Sequence, residues 1–137
     1  LNEVENSLRR LNTDHIDLYM LHRPDYDTPL EESLRAVDDL IHQGKVRYVG
    51  CSNFYGFQLS DALWMADRLN LASMVAAQPL YNIVNRDPEV ELFPCCQEHG
   101  IGTMIYSPLA RGVLAGKYLP DQPPPQGSRA DRQCIKN

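Results

Sequence analysis

Ile16-Asp17-Leu18-Tyr19-Met20-Leu21 leads through His22-Arg23-Pro24-Asp25 to the helix start Thr28-Pro29-Leu30-Glu31, and Val46-Arg47-Tyr48-Val49-Gly50-Cys51 follows. This stretch decides the fold. The two apolar, β-branched runs each have the length of one strand. Between them, Thr28 is placed to cap, Pro29 to occupy the first helical position and Glu31 to complete a capping box. Leu30, Leu34, Val37, Leu40 and Ile41 make one apolar helix face, and Gly44 suits the left-handed residue that closes it. A strand, an amphipathic helix and a second strand imply parallel pairing through a crossover.

The same unit recurs outward from this stretch. Further strands are predicted at 74–78 and 102–107, spaced so that one β/α unit takes about 30 residues. Leu59, Leu63, Ala66 and Leu69 stripe the next helix, and Asp87-Pro88 opens another running to His99-Gly100 across an internal Pro94. Val4, Leu8 and Leu11 give residues 1–11 a helical stripe as well. Four such units amount to about half of an (α/β)8 TIM barrel, and a small doubly wound sheet fits the same pattern. Residues 119–137, with Pro123-Pro124-Pro125, read as a loop or tail. Residues 1–137 are therefore expected to be an internal piece of a longer protein: an incomplete barrel domain without its N-terminal strands and C-terminal end.

Composition narrows the function classes. The 137 residues carry 13 basic and 18 acidic side chains, a formal charge of −5, with 43% hydrophobic residues, as in a globular protein. No basic stripe alternates with aromatics, which argues against nucleic acid, and no apolar run reaches a membrane span of roughly 20 residues. The charge is uneven, however. Residues 1–100 hold 8 basic and 16 acidic groups, and residues 101–137 hold 5 and 2. A solvated surface is the weightier explanation on asymmetry alone; a small anionic ligand near the C-terminal end is the sharper one. Cys51, Cys95, Cys96 and Cys134 have no zinc spacing and no secretory signal before them, so they read as reduced, partly buried thiols of a cytoplasmic protein.

Parallel-sheet proteins place their chemistry at the C-terminal ends of strands. Four segments fall there: His22 to Asp25, Ser52-Asn53-Phe54, Gln78-Pro79-Leu80-Tyr81-Asn82, and Ser107-Pro108-Leu109-Ala110-Arg111-Gly112. His22 offers a group for proton transfer or hydrogen bonding, although a lone histidine is more often simply packed at a strand end. His15, His42 and His99 read as surface or helix-end residues, and no site of metal-ligand spacing is expected. Ser52, Asn53 and Gln78 can jointly read a planar amide, against a background of ordinary loop and cap chemistry. Tyr106 is either a stacking ring or core. Gly112 permits close backbone approach, while Arg111, Lys117 and Arg129 supply charge for phosphate; by itself such a loop is weak evidence.

The same residues resemble a known family. Leu8 to Tyr19 leading into His22-Arg23-Pro24-Asp25, and Gly44 to Phe54, are similar to two signatures of the aldo-keto reductases. Gln78 to Asn82 and Tyr106 to Tyr118 resemble the branch that includes bacterial aldo-keto reductases and potassium-channel β subunits. The resemblance implies an (α/β)8 barrel that binds NADP(H) and moves hydride between nicotinamide C4 and a carbonyl or alcohol carbon of a small substrate. It implies that His22 orients the substrate carbonyl, that Ser52, Asn53 and Gln78 hold the nicotinamide carboxamide, and that Tyr106 stacks on the nicotinamide ring. Ser107, Pro108, Leu109, Ala110, Arg111, Gly112 and Lys117 match the loop over the pyrophosphate, with Arg129 in a further cofactor-contacting segment. The family's catalytic Asp, Tyr and Lys have no counterpart in these residues, so the isolated chain is expected to be inactive. Two other readings stand beside the reductase: a cofactor-binding regulatory subunit of the channel-β kind, and a structural half-barrel that works only on assembly. Association through exposed barrel edges is expected in each case.

Overall fold

A computed structural model describes residues 2–134, with side chains over 3–131. The order is α1 (Asn2–Leu11), β1 (Ile16–Leu21), α2 (Leu30–His42), β2 (Val46–Ser52), α3 (Gly56–Leu69) and β3 (Met74–Gln78). A 3-10 turn (Asp87–Glu89), α4 (Leu92–Glu98), β4 (Gly102–Thr103), a second 3-10 segment (Ala110–Ala115) and α5 (Arg129–Cys134) complete it. The strands form one parallel sheet in sequential order, β1-β2-β3-β4. Ile16 pairs with Val46 and Leu21 with Cys51, so β1 and β2 end level; Ser52 pairs with Gln78, which brings β3 to the same rim. The alternating strand and helix units predicted from sequence are present.

Helices cover one face of this sheet. Leu34 and Val37 of α2, Leu59 and Ala62 of α3, and Leu92 and Cys96 of α4 pack on Val49, Cys51, Met74 and Ala77. A smaller cluster of Val4, Leu8, Leu40 and Val46 fixes α1 at the other end. Leu11, expected on that stripe, is 63% exposed. Tyr48 of β2 and Val75 of β3 are exposed, as are Met104 and Ile105 beyond β4. Large apolar side chains are therefore exposed on and beside the strands among the described residues. None of the described helices is long and apolar enough to cross a membrane.

Four local expectations need correction. Thr28 does not cap α2: the N-cap is Pro29, with ψ 134°, and the helix starts at Leu30. The threonine hydroxyl sits one residue too early and donates instead to Asp25 Oδ2 at 2.8 Å, inside a turn whose other strut is Asp27 N–H to Asp25 Oδ1 at 3.0 Å. Gly44, by contrast, takes φ +72° just past α2 as expected. The helix from Asp87 is split into a 3-10 turn and α4, so Pro94 falls in the first turn of α4, where its missing N–H costs no helical bond. The strand expected over 102–107 is regular only at Gly102–Thr103. Pairing continues to the rim, through Met104 N–H to Ala77 O and Tyr106 N–H to Pro79 O, both 3.0 Å. Pro79 has no N–H to return, which breaks the ladder's regularity there. Lastly, the expected tail contains α5; residues 135–137 and the Cys134 thiol lie outside what is described.

Candidate active site

The residues singled out at the strand ends meet in one hydrogen-bonded chain. Ser52 Oγ donates to Gln78 O at 2.8 Å. Asn53 Nδ2 donates to His22 O at 2.8 Å and to Ser52 Oγ at 3.1 Å, and Tyr106 Oη donates to Asn53 Oδ1 at 2.7 Å. Three strand ends are thereby joined through the side chain of one asparagine, and the Ser52 hydroxyl adds the fourth at Gln78. Its placement depends on a left-handed backbone, φ 58°, which turns the chain off β2 and swings the carboxamide along the rim. Asparagine reaches this region more readily than most residues with a Cβ. Ser52 is buried, while the imidazole of His22 and the side chain of Asn53 are exposed.

Beyond Tyr106 the chain becomes an unusual loop. Ser107, Ala110 and Arg111 all have positive φ (55°, 46° and 56°), and Gly112 follows at 98°. Ala110 N–H donates to Ser107 O at 2.9 Å and Gly112 N–H to Leu109 O at 2.8 Å, so the loop closes on itself. Lys117 folds across it: a Cβ added to Gly112 would lie 2.5 Å from Lys117 Cε and 2.8 Å from its Nζ. The positive φ is what favours glycine there, since the end of the Lys117 side chain is flexible and can move aside. Pro108, Leu109 and Arg111 are exposed on this loop, and Lys117 is exposed beside it. Arg129 is exposed at the start of α5 and forms no hydrogen bond or ion pair with the residues above.

One residue of this region was not singled out in advance. Asn82 is 7% exposed, and its Nδ2 donates to Ser107 O at 3.1 Å. Its Oδ1 accepts the N–H groups of Val84 and Asn85, each at 3.0 Å, which is an Asx turn. The available signal was the polar Asn82 immediately before the apolar pair Ile83-Val84 in a loop. Next to it, Tyr81 donates to Glu89, which also takes a bidentate pair from Arg86 at 2.9 and 2.8 Å. The Arg86 bond, then the Tyr81 bond, hold the Glu89 carboxyl below the usual glutamate range, and the bond to Glu89 raises the Tyr81 phenol.

The thiols stand apart from this chemistry. Burial, with Cys96 and Cys95 nearby, pushes the Cys51 thiol up to about 12, and burial likewise raises Cys96 to about 11. Both stay protonated at neutral pH and are poor nucleophiles. Among the described residues no group of three or more His, Cys, Asp or Glu could hold a metal ion.

Comparison with known proteins bears on what such a rim belongs to. The family model described as Aldo/keto reductase family matches residues 1–136. An uncharacterized oxidoreductase of Bacillus subtilis is 40% identical over 116 residues, 85% of this chain and 36% of that protein. A probable voltage-gated potassium channel subunit beta of Arabidopsis thaliana is 44% identical over 113 residues, 82% of this chain and 34% of that protein. The solved structure of a glycerol dehydrogenase from Gluconobacter oxydans superposes with a TM-score of 0.80 at 34% identity, covering 99% of this chain and 40% of that one. The chain thus spans about a third of the length of these curated relatives. Its four parallel strands are part of a TIM barrel rather than a small doubly wound sheet. Signature residues, strand-end convergence and superposition all agree: this chain belongs to the aldo/keto reductase family.

Proposed function

We propose that the chain supplies part of the cofactor floor and one substrate-orienting residue of an NADP(H)-dependent oxidoreductase acting on a small carbonyl or alcohol. The observation that carries this reading is the chain of bonds linking His22, Asn53, Ser52, Gln78 and Tyr106 at one rim. The residues present fit a nicotinamide. Asn53 Oδ1 accepts one bond, from Tyr106, and keeps a lone pair for an amide N–H. The Gln78 side chain, half-buried at the end of β3, offers a donor and an acceptor together. Tyr106, half-buried over the rim, offers a ring face to a flat heteroaromatic.

When bound, the reduced nicotinamide supplies hydride. The chain's own residues then bind and orient. Ser52, Asn53 and Gln78 fix the carboxamide, and with it the rotation of the ring; Tyr106 backs one face, leaving the other for substrate. His22 directs an imidazole N–H toward a substrate oxygen, a bond that strengthens as charge develops there. Arg111 and Lys117 lie on the loop after Tyr106, where they can neutralise phosphate. The proton donor would come from parts of the barrel outside these residues, so the 137-residue chain alone is expected to show no turnover.

The experiment is NADPH oxidation by the complete protein with a small aldehyde. Tyr106→Ala should weaken NADPH binding by about 1–3 kcal/mol through lost stacking, whereas His22→Ala should lower turnover far more than affinity. Unchanged affinity in the first variant would remove Tyr106 from the site. Cofactor binding without turnover would favour a second reading, a regulatory subunit, which the names of the relatives from Arabidopsis thaliana and Schizosaccharomyces pombe support at 44% and 43% identity. The exposed Tyr48 and Val75, with outer edges of β1 and β4 that pair with no other strand among the described residues, should also make the isolated chain self-associate. Sedimentation that gives a monomer across a hundredfold range of concentration would refute that.

A further inference from the structure

We propose that Asn82 is a positioning residue for the cofactor loop: by holding the carbonyl of Ser107 it sets the path of residues 107–112 beneath a phosphate group. This rests on the oxidoreductase reading, and it adds to that reading a residue that touches neither substrate nor cofactor.

The carbonyl of Ser107 is a junction. It accepts Ala110 N–H at 2.9 Å from within the loop and Asn82 Nδ2 at 3.1 Å from the segment after β3. Around it, Ser107, Ala110 and Arg111 all hold positive φ without being glycine. Backbone in that region persists only where its surroundings over-determine it. The parallel pairing that carries the chain toward the rim ends at the Leu80–Tyr106 bridge and at Tyr81 N–H to Tyr106 O, 3.4 Å. Past that point, the bond from Asn82 is the cross-segment tie to the loop among the described residues. Asn82 can serve because its other end is fixed: Oδ1 takes two backbone N–H groups, and its backbone exchanges two 3.1 Å bonds with Asn85. Burial leaves the carboxamide no water to compete for these bonds. Serine or threonine could keep a turn here but would not reach both ways.

This division of labour inside one side chain gives the test. Asn82→Asp retains the Oδ1 acceptor of both Asx-turn bonds and replaces the donor to Ser107 by a carboxylate oxygen. In the complete, ligand-free protein, amide hydrogen exchange at Ala110 is expected to rise about tenfold, with exchange at Asn85 unmoved. The dissociation constant for NADPH is expected to rise about tenfold as well, and to do so also in Asn82→Ala, which loses the donor without adding a carboxylate. Unchanged exchange at Ala110 overturns the positioning role, as does an affinity loss confined to the carboxylate variant. If Ala110 exchange rises and NADPH affinity holds, while Tyr106→Ala still weakens NADPH, the link from Asn82 to the cofactor is overturned and the oxidoreductase reading survives. Failure of the unsubstituted protein to bind NADPH sinks both.

Discussion

Gly50→Ala is expected to destabilise the protein by about 3 kcal/mol, the upper end of overpacking costs, and Gly50→Val to abolish soluble folded protein. Gly50 lies in β2 between Met20 of β1 and Ala76 of β3 in the pairing register. A Cβ there would come within 2.6 Å of Met20 Sδ and 2.7 Å of Ala76 O. The sulfur belongs to a flexible side chain and can move aside. The carbonyl belongs to the neighbouring strand and cannot move without parting β2 from β3. The register already shifts between Val49 and Gly50, so the pairing has a local irregularity that the methyl would widen. Because Ser52 and Asn53 follow two and three residues on, the rim should lose its geometry with the strand. Guanidinium unfolding of Gly50→Ala and of the Met20→Ala/Gly50→Ala pair separates the two contacts. Partial rescue in the double variant is expected, because the backbone contact stays. Full rescue would assign the whole effect to methionine, and a loss under 1 kcal/mol in the single variant would discard the close approach altogether.

Much of this arrangement was legible in the sequence, for identifiable reasons. The runs at Ile16, Val46 and Met74 are short, apolar and evenly spaced, and burial on the helix face is what such runs satisfy. Gly44 was readable because only a residue tolerant of positive φ ends a helix that way. The site residues could be named because parallel strands deliver their C-terminal ends to one rim, and the family resemblance attached roles to them. Three features were not legible, each because a partner outside the simple pattern decided it, one a near neighbour in sequence and two far away. Thr28 matched a capping pattern, but the nearby Asp25 carboxylate took its hydroxyl. Pro79 ended the regular pairing of β4, an effect that depends on which strand lies alongside. Asn82 was given no role, because its bond to Ser107 joins positions 25 apart in sequence.

The largest effect on the site itself should come from Asn53. Its side chain makes three hydrogen bonds, to His22 O, Ser52 Oγ and Tyr106 Oη, and so ties β1, β2 and the segment after β4. Each such bond contributes a net of about 0.5–1.5 kcal/mol, and the exposure of Asn53 places these toward the lower half. Asn53→Gly, which keeps the left-handed backbone without cost, should therefore lose roughly 2 kcal/mol. Asn53→Ala loses the same bonds and adds the penalty of a methyl at φ 58°, about 1–2 kcal/mol. The order of stability should be Asn, then Gly, then Ala, an inversion of the usual preference for alanine over glycine. Both variants should also free the Tyr106 ring, since its hydroxyl loses its acceptor, and NADPH affinity should fall alongside stability in the complete protein. Tyr106→Phe supplies the control: it removes one bond, keeps the ring, and should cost about 1 kcal/mol of stability with a smaller loss of affinity than either Asn53 variant. If alanine at position 53 proved as stable as glycine, the left-handed turn would not be what holds the carboxamide along the rim. If Tyr106→Phe matched Asn53→Gly in affinity, the hydroxyl rather than the asparagine would be organising the cofactor floor.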